Sequence, residues 1–207
     1  NNKLVSLNLK NGANTNLDLA FTNFKNNPDL KCIQVDDVNY SNANWSAIKD
    51  ASAEFNTDCP AFTFIPDANF EDKLIALNID KDGKNGKVIT KDIASITTLD
   101  LSNSSISDLT GIQDFVSLQS LNCSTNVLTA LDLAANKKLT VLNCSENQLT
   151  TLDPGTLPLL TSLNCSYNSI TSLDITKNPA LVTINFSNNA LNSLNLKNGF
   201  NTNLDWF

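Results

Sequence analysis

The chain has 207 residues, 41% of them apolar, which is enough to fill one elongated domain or two small ones. Its formal charge is −7, its 14 basic residues are all lysine and it has no histidine. That argues against a nucleic-acid partner and removes the commonest general base and metal ligand. No run of 18 apolar residues is present, so no membrane insertion is expected, and the start at Asn1 reads as a mature or excised piece.

In chain order, the first segment is half of a pair. "LNLKNGANTNLD" at 7–18 returns as "LNLKNGFNTNLD" at 194–205, the same at eleven of twelve positions and 187 residues on. More widely, 1–12 matches 188–199, so both read as the closing half of a coil. Residues 31–36, "KCIQVD", predict a strand, followed by a helix over 42–50 with Ser41 as N-cap and Trp45 and Ile48 packed inward. "PAFTF" opens a linker over 60–66. Asp67 then suits the N-cap of a helix over 68–77, with Phe70, Leu74 and Leu77 on one face.

The loop 80–92, "DKDGKNGKVITKD", places Asp80, Asp82, Asn85, Gly86, Val88 and Asp92 in the order of an EF-hand loop, provided one residue is inserted before Asn85. Lys81, Lys84 and Lys87 stand among them. Two readings remain open: a bound calcium pinning a cap, with Asp80, Asp82, Asn85 and Asp92 as ligands, or a solvated turn held by Gly83 and Gly86.

From Ile96 the chain repeats. One 22-residue line is followed by 21-residue lines from Leu118, Leu139, Leu160 and Leu181, on the template L-x-x-L-x-C/L/F-S-x-N-x-L/I-x-x-L-x-L/I. Positions 4 and 6 alternate with polar neighbours, as in a strand with one buried face. The inward pairs are Leu99/Leu101, Leu121/Cys123, Leu142/Cys144, Leu163/Cys165 and Ile184/Phe186. One coil cannot bury its own apolar side, but stacked coils can, which predicts a parallel-sheet solenoid. Position 9 is a column of Asn126, Asn147, Asn168 and Asn189 suited to bonding neighbouring backbone. Pro154 replaces an inward Leu and predicts a local irregularity. Cys123, Cys144 and Cys165 fall in one inward column and read as packed free thiols.

The outward face carries Asn122, Asn143, Asn164 and Asn185 at position 5 and Thr125, Glu146 and Tyr167 at position 8. The regular Asn and Ser columns read first as supports of the coil. Glu146 and Tyr167 are the non-repeating positions, suited to specific recognition. Asp132, Asp153 and Asp174 are spread along the stack without a paired acid and base, and no enzyme is expected.

These lines resemble leucine-rich repeats, and more narrowly the Asn-rich "LxCSxNxLTxLDL" repeats of secreted and surface proteins of Bacteroidetes. "IPDANF" at 65–70 resembles the N-terminal cap of such modules, in which an EF-hand-like loop often follows, and "CIQVDD" with "ANW" resembles their C-terminal cap. The resemblance implies a disulfide between Cys32 and Cys59, an oxidising compartment and type IX secretion. It lays the chain out as follows: 1–59, last half-coil and C-terminal cap of a preceding module; 60–66, linker; 67–95, N-terminal cap; 96–207, five coils ending at the start of a second C-terminal cap. The expected function is protein or glycan binding at the cell surface, as part of a tandem array. The alternative is a structural spacer of a fibre or stalk that associates with other copies through its module ends.

Overall fold

The computed structural model describes residues 4–199 together with 205 and 206. It forms two compact units, Asn1–Ala61 and Phe62–Phe207.

In the first unit, β1 (Ser6–Asn8), β2 (Cys32–Gln34) and β3 (Glu54–Asn56) make a parallel sheet in that order. Leu7, Ile33 and Phe55 stand in register across it, and Ile33 and Phe55 are buried. Helix α1 (Val38–Trp45) begins four residues before the expected start at 42. Asp37, in extended backbone, is the cap, its Oδ1 accepting from Tyr40 N at 3.0 Å. Ser41 is not the cap: it lies buried inside the helix and donates its Oγ hydrogen to Asp37 O at 2.8 Å. Trp45 is buried edge-on to Tyr40 and Phe55, and Ile48 packs half-buried against the same core.

Cys32 and Cys59 are disulfide-bonded with Cα atoms 5.7 Å apart, closing a 27-residue separation. In the chain-entropy model this link stabilises the unit by about 3.5 kcal/mol. Cys59→Ser in a Trp206→Phe background should lower the guanidinium midpoint reported by Trp45 fluorescence accordingly. An unchanged midpoint would show that the link contributes nothing.

The second unit opens with β4 (Phe62–Phe64), paired antiparallel with β5 (Lys87–Ile89). The expected linker over 60–66 is therefore ordered sheet and core from Phe62 onward. The cause is the alternation in "FTFI": Thr63 and Ile65 turn inward, and Thr63 Oγ1 donates to Asp114 Oδ2 at 2.6 Å. Helix α2 (Ala68–Ala76) starts at Asp67, whose Oδ1 accepts from Asn69 N and Phe70 N. Asp67 Oδ2 accepts from Ser107 N, Ser107 Oγ and Asp108 N, tying the helix to the first coil. Burial works against the Asp67 carboxylate, but these donors hold its pKa below the ordinary value. Phe70 and Leu74 are core residues; Leu77 follows the helix and is 41% exposed, so it leaves the expected apolar face.

The coils then stack. Strands β6 (Thr98–Asp100), β7 (Ser120–Asn122), β8 (Val141–Asn143), β9 (Ser162–Asn164) and β11 (Thr183–Asn185) form a parallel sheet, extended by β13 (Asp205–Trp206) beside β11. A second pair, β10 (Ser172–Asp174) and β12 (Ser193–Asn195), is also parallel. Of the repeated stretch at 194–205, residues 200–204 lie outside the described residues.

One rule links the coils from β6 to β11. The N–H at repeat position 6 donates to the carbonyl at position 5 of the next coil: Leu101 to Asn122 (2.7 Å), and Cys123 to Asn143, Cys144 to Asn164 and Cys165 to Asn185 (each 2.8 Å). The first unit obeys it too, with Leu9 N to Gln34 O and Val35 N to Asn56 O, both 2.8 Å. Its sheet is thus made of coils, with longer excursions between strands.

The position-9 Asn column holds the turns. Asn126, Asn147, Asn168 and Asn189 each donate Nδ2 to the position-6 carbonyl of their own coil and of the one before. Their Oδ1 atoms accept an N–H from the preceding coil. Carbonyls that the turn would leave buried and unpaired are satisfied this way. A second set was not foreseen: buried Asn136 donates to Ile112 O and Phe115 O, and buried Asn178 to Pro154 O and Leu157 O. Pro154 opens a short 3-10 turn (Pro154–Thr156), the local irregularity expected there.

Candidate binding face

The exposed side of the main sheet carries the columns singled out in the sequence. Asn122, Asn143, Asn164 and Asn185 are half-buried and in register from strand to strand. Their Oδ1 atoms are held locally, each accepting from the Ser N two residues on, at 3.2, 3.2, 3.1 and 3.0 Å, and from the Ser Oγ in the first three. Asp100 does the same in the first coil; its hydrogen bonds from Ser102 are the main cause of a lowered pKa. The Nδ2 groups of Asn143, Asn164 and Asn185 have no acceptor among the described residues. Parallel strands lie about 4.8 Å apart, so these donors repeat at that spacing.

Position 8 has an unusual backbone. Asn103, Thr125, Glu146, Tyr167 and Asn188 all adopt left-handed φ, between 50° and 55°. All five are exposed, and Tyr167 is 58% exposed. Asn tolerates this conformation; a β-branched or bulky side chain there costs on the order of 1 kcal/mol. The first and last lines carry Asn, whereas the three between carry Thr, Glu and Tyr. Thr125 Oγ1 donates to Glu146 Oε2 at 3.3 Å, so two of the three are already coupled.

Elsewhere the polar groups serve the fold. Asp132, Asp153 and Asp174 each accept the N–H two residues on, at 2.9, 3.0 and 2.8 Å, and act as turn caps. A groove of about 370 Å³ beside the first coils is lined by Asp108, Thr110, Gln113, Ala130, Leu131 and Asp132, and the Oδ1 atoms of both carboxylates are taken by such turns. Cys123, Cys144 and Cys165 are buried free thiols. Burial pushes the pKa of Cys123 and Cys165 up to about 12 and that of Cys144 well above its ordinary value, so they are not nucleophiles near neutral pH.

The four residues expected as calcium ligands do not assemble a site. The turn's N–H groups, Asn85, Gly86 and Lys87, converge instead on Glu71 Oε1 at 2.6, 2.5 and 3.3 Å. Asp92 is exposed in the short helix α3 (Thr90–Ile93). Among the described residues no group of three or more acidic, His or Cys side chains is arranged to hold a metal. Asp80 is buried with Asp82 beside it and its Oδ2 unpartnered.

Burial, then Asp82 and Glu71, raise the Asp80 pKa to about 6. The folded state therefore keeps a proton that the unfolded chain loses near pH 4. Stability falls as pH rises through the window from about 4 to 6, and the loss is complete above it. Asp80→Asn should therefore raise the melting temperature by about 5 °C at pH 7.5, for about 2 kcal/mol, and leave it unchanged at pH 4. An equal shift at both pH values would exclude this cause.

A family model described as leucine-rich repeats (2 copies) matches residues 137–177. Internalin J of Listeria monocytogenes serotype 4b (strain F2365) is 38% identical over 73 residues, covering 35% of this chain and 8% of that protein. Among solved structures, the functional domain of InlJ from Listeria monocytogenes, which includes a cysteine ladder, superposes with a TM-score of 0.59 at 36% identity, over 66% of this chain and 31% of that one. An internalin C2 (inlC2) from Listeria monocytogenes str. 4b F2365 gives 0.51 at 22% identity, over 87% of this chain and 72% of that one, a likeness of fold alone. The chain thus spans a small part of the length of internalin J.

Proposed function

We propose that this leucine-rich-repeat solenoid is a non-enzymatic binding module that works outside the cell and takes a protein or glycan partner on the exposed face of its parallel sheet. The observation that carries this is the left-handed column. Thr125, Glu146 and Tyr167 occupy backbone that suits Asn, and Asn is what the first and last lines place there. Local strain of this kind persists where a side chain is needed for something other than the fold. Beside the column run the Nδ2 groups of Asn143, Asn164 and Asn185, which have no acceptor among the described residues and suit carbonyl or hydroxyl oxygens of a partner.

The Cys32–Cys59 link supports this compartment, because such links persist in an oxidising environment. Among the described residues no helix is long and apolar enough to cross a membrane. Origin in Bacteroidetes, surface display and type IX secretion rest on the sequence motifs; the relatives named above are from Listeria. The first unit, Asn1–Ala61, serves in this reading as the C-terminal cap of a preceding module in a tandem array. The recurrence of 7–18 at 194–205 favours a second reading, a spacer built of such modules.

The test is a trade-off. The labelled full chain is applied to a glycan array and a panel of immobilised extracellular-matrix proteins. Thr125→Asn, Glu146→Asn and Tyr167→Asn combined should raise stability by about 2 kcal/mol and weaken any binding at least about tenfold. A spacer predicts the gain in stability with no ligand to lose. Binding that survives the triple substitution would remove this face from the function.

A further inference from the structure

The exposed sheet face has a period, and the period selects what fits it. The Nδ2 groups of Asn143, Asn164 and Asn185 stand in register on β8, β9 and β11 and recur along the stack at the spacing of parallel strands, about 4.8 Å. An extended peptide laid along that axis advances about 3.3 Å per residue and presents like-facing groups at twice that, so it falls out of step with the donors. A linear chain of equatorially linked pyranose rings advances by close to one strand spacing per sugar. Each sugar then meets one coil.

The chemistry of the face suits a neutral ligand. At positions 3, 5, 7 and 8 of the coils, from Thr98 to Asn188, there is no lysine, and the charged residues are Asp100 and Glu146. A polyanion would meet these two carboxylates and no cation. A protein anchor wants a cluster of apolar or guanidinium groups, and the face offers Val141 at position 3 and Tyr167 at position 8, in different coils. Tyr167 holds an exposed ring on left-handed backbone, and such a ring stacks on the C–H face of a pyranose. In the coil before it, Glu146 Oε2 accepts from Thr125 Oγ1, and Oε1 has no donor among the described residues. The Oδ1 atoms of Asn143, Asn164 and Asn185 are fixed by the N–H groups of Ser145, Ser166 and Ser187, so the amide donors are aimed before a ligand arrives. Between the two columns run the short side chains of Ser145 and Ser166, both buried.

We infer that, given the binding face proposed above, its ligand is a neutral, linear glycan of equatorially linked pyranose sugars, lying along the stack with one sugar per coil across β8, β9 and β11. The central sugar stacks on Tyr167, and hydroxyls of the chain take the amide donors of Asn143, Asn164 and Asn185 and the free oxygen of Glu146. Asn122 does not extend the row, because its side chain hydrogen-bonds Asp100 of the coil before it. Three sugars therefore fill the site.

The test is isothermal titration of the full chain with soluble oligosaccharides of one to six sugars derived from cellulose, mannan and xylan. In at least one series affinity should climb with length up to three sugars, by about tenfold or more in all, and then level off. It should be the same at low and high salt, since the ligand carries no charge. Asn164→Asp removes the donor yet keeps an oxygen for Ser166 N, as Asp100 does for Ser102 N in the first coil, so the coil is preserved. It should weaken the trisaccharide about tenfold. Tyr167→Asn should weaken it at least as much, whereas Tyr167→Phe keeps the ring and the binding. Affinity independent of length, or indifferent to Asn164→Asp, overturns the inference. If every saccharide fails while a matrix protein binds and is lost with Thr125→Asn, Glu146→Asn and Tyr167→Asn combined, the face stands and the glycan does not. If neither class binds, the face itself fails.

Discussion

Asn126→Ala should cost the solenoid about 4 kcal/mol and lower its melting temperature by roughly 10 °C. The side chain is 8% exposed and makes five bonds. Its Nδ2 donates to Leu101 O, Cys123 O and Ser124 O at 2.9, 3.1 and 3.2 Å, and its Oδ1 accepts from Ser104 N and Ile106 N at 3.2 and 2.9 Å. Truncation strands backbone groups of two coils in a site closed to water, and a stranded buried group costs more than a bond made in water's place contributes. Asn126→Asp keeps the volume and should be no milder at neutral pH, because a carboxylate would face three carbonyl oxygens. Thermal melts of both variants at pH 7 measure this; a loss below about 1 kcal/mol for Ala would show that water replaces the amide.

Gly111→Ala should be of similar severity, about 4 kcal/mol, for a different reason. Gly111 has φ 106°, and a Cβ there would lie 2.4 Å from Ile65 Cδ1 and 2.6 Å from Phe64 O. The Ile side chain can move; the Phe64 carbonyl cannot without disturbing β4 and its pairing with β5. Gly155→Ala is the control. Its backbone is ordinary and the nearest atom to a new Cβ is Asp153 Oδ1 at 3.0 Å, so it should cost under about 1 kcal/mol. Urea titration of the two variants separates the cases, and equal losses would mean that the close approach at Gly111 relaxes freely.

The coils were legible in the sequence because one pattern is written several times. Leu121, Leu142 and Leu163 recur at a fixed interval, and a fixed interval in a solenoid is a fixed place in space. The caps were harder, since each is written once. Asp37 and Ser41 are both good N-cap residues, and only the backbone at Asp37 decides between them. "PAFTF" looked like a linker because its partner strand lies beyond a helix and a loop. The loop at 80–92 has the composition of a calcium loop, but Glu71, outside the motif, reaches into the turn that would have faced an ion. The columns of the candidate face were found by spacing alone. The left-handed backbone beneath Thr125, Glu146 and Tyr167 was not, because their side chains give no sign of it and only Asn103 and Asn188 in the same column point to it.

The enclosed thiols have a practical consequence. Cys123, Cys144 and Cys165 sit in successive coils, fully covered and without a disulfide. A thiol reagent reaches each one only when its own coil opens, so the rate of labelling counts openings at that level of the stack. The protein thus carries a set of internal clocks, one per coil, that would show whether the solenoid frays from an end or parts in the middle.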